Sequence, residues 1–293
     1  MKHYPVYYQE ISNGETIAYR KAGSGDQTLL LLHGNMSSSV FWQTTMEHIE
    51  SEIQIIAPDL RGFGDSTYVS TFDSLLELAL DIEDLLKHLK IDEFIVLGWS
   101  TGGGVALELA ALLKKQVKKV ILLDSVGVNG FTMYKKDEKG QMLFDQLLTE
   151  KADIAKDPVQ VLPVLNAYAT KDKAMLQMIW NATIYSKKQP DEAEYDAYLN
   201  AMLKQRNLVD IDYSLVHYAM RKDGKKVERF TEITAPVVVM HGTDDNIVPY
   251  QEALDMQAYF KDQAKLVTFE DVGHSVMTDA FELWLEELRK TIF

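Results

Sequence analysis

The tightest constraint on this chain lies in five residues, Gly98-Trp99-Ser100-Thr101-Gly102. They stand between an apolar run at 94–97 and a helix-like run at 105–113. That order predicts a buried strand, a sharp turn with serine at its apex, and a helix. A serine held in such a turn has a strained backbone, and the residues two positions away must be small. Gly98 and Gly102 meet the demand. The turn then lifts the hydroxyl clear of the sheet, beside the free N–H groups at the start of the helix. Three fixed positions of common residues recur by chance, so the pattern gains its meaning from partners elsewhere.

The chain around it alternates strand and helix. Short strands are expected at 6–11 and 16–21, joined through Asn13-Gly14, a hairpin signal. Strands built on unbroken apolar runs, at 29–32, 55–57, 94–97 and 120–123, follow at 28–32, 53–57, 94–97 and 117–123. Their ends are marked by His33-Gly34-Asn35, Asp59, Ser100 and Asp124. At 74–89, Leu75, Leu78, Ile82, Leu85, Leu86 and Leu89 recur at the helical period. The alternation resumes at Pro236, with strands at 237–241 and 265–269 and helices at 250–260 and 281–292. Strands with such unbroken apolar runs, rather than alternation, belong to a mainly parallel sheet covered by helices on both faces, so the fold class is α/β. In such sheets functional groups gather beyond the carboxyl ends of the strands.

Residues 125–234 break the pattern. No strong strand is read there, and helical stretches are expected at 141–150, 158–169, 173–184, 192–204 and 212–220. This predicts an inserted helical cap at 125–234 on a core made of 1–124 and 235–293. The aromatic and Met residues of the cap are expected to form its own core, with a subset lining a cleft beneath it.

Composition removes several classes of function. Net charge is −14, the wrong sign for nucleic acid or for an anionic membrane surface. There is no cysteine, which excludes disulfides, thiolate metal sites and cysteine nucleophiles. Histidines do not fall at metal-ligand spacing, and Gly102-Gly103-Gly104 lacks the dinucleotide-binding pattern, so no metal or cofactor is expected. No run reaches the roughly 18 apolar residues of a membrane span. The first ten residues carry no signal-peptide core, so a cytoplasmic location is expected, with the sequons at Asn35 and Asn181 accidental.

A serine hydroxyl is a poor nucleophile at neutral pH and needs a base, which in turn needs an orienting carboxylate. Beyond Ser100, two acids, Asp244 and Asp245, follow the strand at 237–241, and His274 follows the strand at 265–269. Asp124 is a third acid at a strand end. The order is serine, acid, histidine.

Five segments together resemble the α/β-hydrolase superfamily. They are His33-Gly34-Asn35, the stretch from Asp59 to Ser66, Gly98 to Gly103, Gly242 to Pro249, and Gly273-His274. The resemblance spans nearly all of the chain outside the cap. Members usually read Asp-x-x-Val-Pro after the acid strand, which selects Asp245, leaving Asp244 to a turn and Asp124 to a structural role. The resemblance further implies an oxyanion hole from the backbone N–H groups of Asn35 and Thr101. His33, Asp59, Arg61 and His241 are then structural.

It implies a serine hydrolase, of the carboxylic ester class EC 3.1.1, acting on a small-molecule or polyester acyl substrate. Serine at the turn excludes the epoxide hydrolase and haloalkane dehalogenase reactions of relatives, which place Asp there. Thr101 in place of Trp argues against a prolyl peptidase. The same triad also serves carbon–carbon bond hydrolysis. The stretches His33 to Ser38 and Gly98 to Gly103 are similar to intracellular polyhydroxyalkanoate depolymerases as well. A non-catalytic ligand-binding protein is the remaining class. Oligomeric state is not specified by any of these features.

Overall fold

The computed structural model describes residues Met1–Phe293. Its sheet has eight strands: β1 Val6–Glu10, β2 Thr16–Ala22, β3 Thr28–Leu32, β4 Gln54–Pro58, β5 Phe94–Trp99, β6 Val117–Leu123, β7 Val237–Gly242 and β8 Ala264–Phe269. Their spatial order is β1-β2-β4-β3-β5-β6-β7-β8. Strand β2 is antiparallel to both β1 and β4, and every other pairing is parallel. The expected mainly parallel α/β sheet is therefore present.

Alternate residues of each strand serve the two faces. Leu29, Leu31, Ile95, Leu97, Ile121 and Leu123 face one core with helices Gln43–Ile49 and Phe281–Ile292. Leu30, Leu32, Val96, Val120 and Leu122 face the other with Leu75–Leu89, Thr101–Leu113 and Tyr250–Phe260. Full burial of each such side chain contributes about 1.5–3 kcal/mol, which accounts for the apolar residue at every one of these strand positions. Helix Thr101–Leu113 is buried nearly all round, and its one acid, Glu108, accepts from Arg229 Nε and Nη2, each at 2.7 Å. No helix is long and apolar enough to cross a membrane.

Between β6 and β7 the chain leaves the sheet. Four helices, Leu162–Thr170, Lys173–Thr183, Glu192–Met202 and Leu208–His217, lie close to the expected positions, the last beginning four residues earlier than read from sequence. Their aromatic residues join the first sheet core rather than forming a separate one. Phe41 stacks on Tyr198 at 4.0 Å between ring centroids and meets Trp180 at 5.4 Å.

The expectation of a helix at 141–150, and of no strand in this region, is wrong. Met142–Leu147 pairs antiparallel with Tyr134–Lys136. The Asp137 carboxylate accepts the N–H groups of Lys139 (2.8 Å) and Gln141 (2.9 Å), and Gly140 takes φ +78°. That side-chain turn reverses the chain before a helix can start. Lys136, at the ribbon's end, is drawn inward to Asp157 at 2.6 Å and Gln160 at 2.7 Å, and the ion pair is buried. A second small ribbon, Arg221–Lys222 with Lys225–Lys226, turns at Asp223-Gly224, where both residues have positive φ.

Candidate active site

The turn after β5 has the strain its sequence implies. Ser100 sits at φ +55°, ψ −122°. Its N–H donates to the Leu123 carbonyl at 2.9 Å and its own carbonyl accepts from Gly103 at 3.0 Å, which fixes the bend from both sides. A Cβ at Gly98 would collide with the Gly102 backbone, and one at Gly102 with the carbonyls of Leu32 and His33. Gly34 is likewise closed in, with a built Cβ only 3.0 Å from that of Ser100. Glycine is required here for space, because backbone atoms cannot step aside.

Strand order delivers the partners. Leu32 is level with Gly98, Trp99 with Leu123, Leu123 with Met240, and Gly242 with Phe269. The residues following β3, β5, β6, β7 and β8 therefore emerge side by side: Asn35, Ser100, Asp124, Asp245 and His274. His274 Nδ1 lies 2.7 Å from Asp245 Oδ2, and both residues are buried. Asp245 Oδ1 accepts the N–H groups of Ile247 (2.8 Å) and Val248 (2.9 Å). Burial alone would raise this carboxyl, but the His274 charge and the hydrogen bonds from His241 and His274 outweigh it. Asp245 is held well below the usual carboxylate range. The Trp99 indole N–H donates to the His274 carbonyl at 3.0 Å, tying the serine turn to the histidine loop. Ser100 and His274 line one cavity but make no direct hydrogen bond in this structure.

Asp124 is fully buried between these elements. Its Oδ1 accepts the Gly242 N–H at 3.0 Å and its Oδ2 that of Val276 at 3.4 Å, so it pins the end of β7 to the histidine loop. Burial, helped by the Asp245 charge, pushes it up to about 7 against the pull of His241 and His274. His241 Nε2 is 2.8 Å from the Val248 carbonyl and 3.2 Å from Asp245 Oδ2, giving Asp245 a second imidazole contact. Burial lowers His241, yet its bond to Asp245 and the Asp124 charge raise it overall. Asp124, His241 and Asp245 bring metal-ligand types of atoms within 4.8 Å of one another. However, His241 points its Nε2 at a carbonyl acceptor, so that nitrogen carries hydrogen and has no lone pair to offer a cation.

The other singled-out residues separate cleanly. His33 Nδ1 meets the Gly34 carbonyl at 2.8 Å and its Nε2 accepts from Leu60 N–H at 3.0 Å. Asp59 accepts from Ser39 (2.7 Å) and Asp65 (2.8 Å), holding the glycine-rich turn, while Arg61 forks onto Asp81 at 2.7 and 2.6 Å. Asp244 points outward and pairs with Lys187.

The cavity has a volume of about 310 Å³. Asn35, Ser100, Thr101 and His274 line one side, and Met133, Val164, Ile179, Trp180 and Ile184 the other. No Lys or Arg lines it. Thr101 opens its helix, where N–H groups lack an intrahelical partner. The Asn35 side chain is engaged on both ends: its oxygen accepts from Met36 N–H (2.9 Å) and Gln205 (2.8 Å), and its nitrogen donates to Asp212 at 3.3 Å. Gln205 and Asp212 were not singled out from sequence. Asp212 had a visible signal, because it falls on the stripe Leu208, Ile211, Asp212, Leu215, an acid where helical spacing calls for an apolar residue.

A family model described as alpha/beta hydrolase fold matches residues 27–281. The chain is 35% identical over 121 residues to the soluble epoxide hydrolase of Corynebacterium sp. (strain C12), spanning 41% of this chain and 42% of that protein, less than half its length. It is 23% identical over 258 residues to the 2-hydroxy-6-oxononadienedioate/2-hydroxy-6-oxononatrienedioate hydrolase of Klebsiella pneumoniae, covering 86% of this chain and 82% of that one. Among solved structures, an esterase from Exiguobacterium antarcticum matches with a TM-score of 0.71 over 97% of each chain at 22% identity, a likeness of fold alone.

Proposed function

This chain belongs to the alpha/beta hydrolase fold family, and from that premise we propose that it is a serine hydrolase cleaving a carboxylic ester through an acyl-enzyme on Ser100. The observation that carries this reading is the buried Asp245–His274 pair, 2.7 Å apart, on the border of the cavity into which strained Ser100 also opens. Segment 125–234 serves as the cap that closes the cavity.

In the proposed reaction His274 takes the Ser100 proton as the oxygen attacks the ester carbonyl carbon. Asp245 accepts the hydrogen on Nδ1, which fixes the tautomer and balances the imidazolium. The N–H groups of Asn35 and Thr101 bind the oxyanion. Collapse breaks the carbon–oxygen bond, and His274 passes its proton to the leaving alcohol. A water, deprotonated by His274, then attacks the acyl carbon and returns Ser100 to its starting state.

Carbon–carbon hydrolysis is the second reading, since a relative matched over 86% of this chain and 82% of its own length is named for a dienedioate substrate. A dicarboxylate needs cationic partners, and the cavity presents Asp212 and no Lys or Arg. That lining supports a neutral ester. A fluorophosphonate is expected to add covalent mass at Ser100 and none to Ser100→Ala; an unlabelled wild-type protein overturns the reading. A series of 4-nitrophenyl esters, run beside a dienedioate and solubilised polyhydroxybutyrate, ranks the substrates. Faster turnover of the dienedioate overturns the ester assignment, and polymer release would extend it to a depolymerase.

A further inference from the structure

Asp212 is the one acidic side chain lining the cavity, and the reaction above gives it no task. Its only hydrogen bond within the protein is the long one from Asn35 Nδ2, at 3.3 Å. No cation pairs with it. Lys136, the basic group that acts on its charge, is held by Asp157 at 2.6 Å and Gln160 at 2.7 Å. The lining around it is mainly apolar, with Phe131, Val164, Leu208 and Leu215 among the neighbours on the wall. A carboxyl set into such a wall with one weak partner carries an uncompensated desolvation cost, which a ligand group can relieve.

We propose that the cavity takes an ester bearing a free hydroxyl group, on its acyl or its alcohol half, and that Asp212 selects for it. The inference rests on the reading of Ser100 as the ester-cleaving nucleophile. Hydroxyl fits better than either charged alternative. Burial, with the Asp157 charge, pushes Asp212 up to about 7, so both protonation states are present near neutral pH. A hydroxyl donates to the carboxylate and accepts from the acid, whereas an ammonium only donates and a second carboxylate is repelled. Gln160 lines the same cavity. Its oxygen holds Lys136, which leaves its amide N–H groups to meet the hydroxyl oxygen. A site that hydrogen-bonds a substrate hydroxyl rejects the analogue lacking it more strongly than an apolar site rejects an extra methyl group.

Three pairs of esters matched in heavy atoms test this. They are 4-nitrophenyl 3-hydroxyhexanoate against 3-methylhexanoate, 4-nitrophenyl 6-hydroxyhexanoate against heptanoate, and 2-hydroxyethyl hexanoate against propyl hexanoate. The wild-type protein is expected to favour the hydroxylated member of at least one pair by about tenfold or more in kcat/KM, as a hydrogen bond to a charged group allows. Asp212→Leu should bring that ratio to about one or below, with Asp212→Asn between. Ratios within a pair cancel any loss of folded protein. No preference in wild type overturns the proposal. So does a ratio that survives in Asp212→Leu while both members fall together, which would make Asp212 a support for Asn35 alone. Binding of N-(2-hydroxyethyl)hexanamide against N-propylhexanamide to Ser100→Ala, by calorimetry, reads the alcohol-side preference without turnover. Fluorophosphonate labelling of the wild type separates the two failures: labelled protein without a hydroxyl preference sinks this inference and leaves the ester reading standing.

Discussion

The two sides of the cavity are built differently. On the floor, Ser100, Asp245 and His274 leave the carboxyl ends of β5, β7 and β8, and backbone geometry aims them. The serine turn is walled by carbonyls, and Asp245 is fixed by two backbone N–H groups and two imidazoles. On the opposite side, Met133, Val164, Ile179 and Ile184 are placed by side-chain packing in or beside short helices and a ribbon. Among the polar ties between the sides, the Asn35 side chain carries two, to Gln205 and Asp212. A backbone-defined floor tolerates almost no change, while a packed wall accepts swaps of similar volume at modest cost.

That contrast can be broken by experiment, and the floor gives the largest effects. Asp245→Asn should lower kcat on 4-nitrophenyl butyrate by about 10⁴, because the amide no longer holds the productive tautomer of His274. A loss below tenfold would mean that Asp124, one strand away, supplies the charge instead. Gly102→Ala comes next. Its methyl group meets two backbone carbonyls, so the turn must shift, and a misplacement near 1 Å costs about 10² in rate. An unaltered rate of fluorophosphonate labelling in this variant would contradict the claim that the turn has no spare room.

The wall should respond in selectivity. Ile179→Ala enlarges the cavity and should move the preference between short and medium acyl chains by about tenfold. If it instead abolishes turnover on every chain length, the wall is part of the catalytic framework and the contrast fails.

The smallest effect concerns Asp124. Its folded-state value of about 7 lies above the ordinary 3.8, so the folded protein keeps a proton that the unfolded chain releases. Stability from this group is full below about pH 4 and is lost as pH rises through 7. Asp124→Asn removes the trend. Its melting temperature relative to wild type should therefore rise between pH 5 and pH 8, by about 2 °C or more. Asp245 acts oppositely and in a lower window: its lowered value stabilises above about pH 4 and is lost as pH falls further. A constant difference in melting temperature from pH 5 to 8 would show that Asp124 is not protonated in the fold.

The same contrast explains what the sequence made legible. The floor is written in local terms: apolar strands that stop at Leu32, Leu97, Leu123 and Met240, glycines that clear space around Ser100, and a loop glycine before His274. Each is a short-range constraint, so the sheet and the placing of Asn35, Ser100 and His274 at strand ends followed from reading them in order, while Asp245 was separated from Asp244 by the family resemblance. The opposite wall is written in long-range terms. Residues 141–150 have apolar positions that suit a helix, and they became a strand because Asp137 caps a turn and Lys136 is drawn to Asp157. In the sequence the Asp137-to-Gly140 turn pattern is outweighed by the helical period, and the Lys136–Asp157 pair is not marked by spacing at all. Asp212 lay between the two cases. Its place on an apolar stripe was readable, but its contact with Asn35 joins residues 177 positions apart.

Trp99 and Trp180, two of the four tryptophans, line the cavity with ring centroids 6.3 Å apart, and Trp99 lies 5.7 Å from the His274 ring. All four are buried, and the other two, Trp42 and Trp284, do not line the cavity. Indole emission depends on the polarity around the ring and is quenched by a nearby charged imidazole. A ligand entering the cavity changes the surroundings of one pair of indoles and leaves the other pair as an internal standard. The molecule thus carries its own optical gauge of occupancy, readable in unlabelled protein on the timescale of a stopped-flow trace.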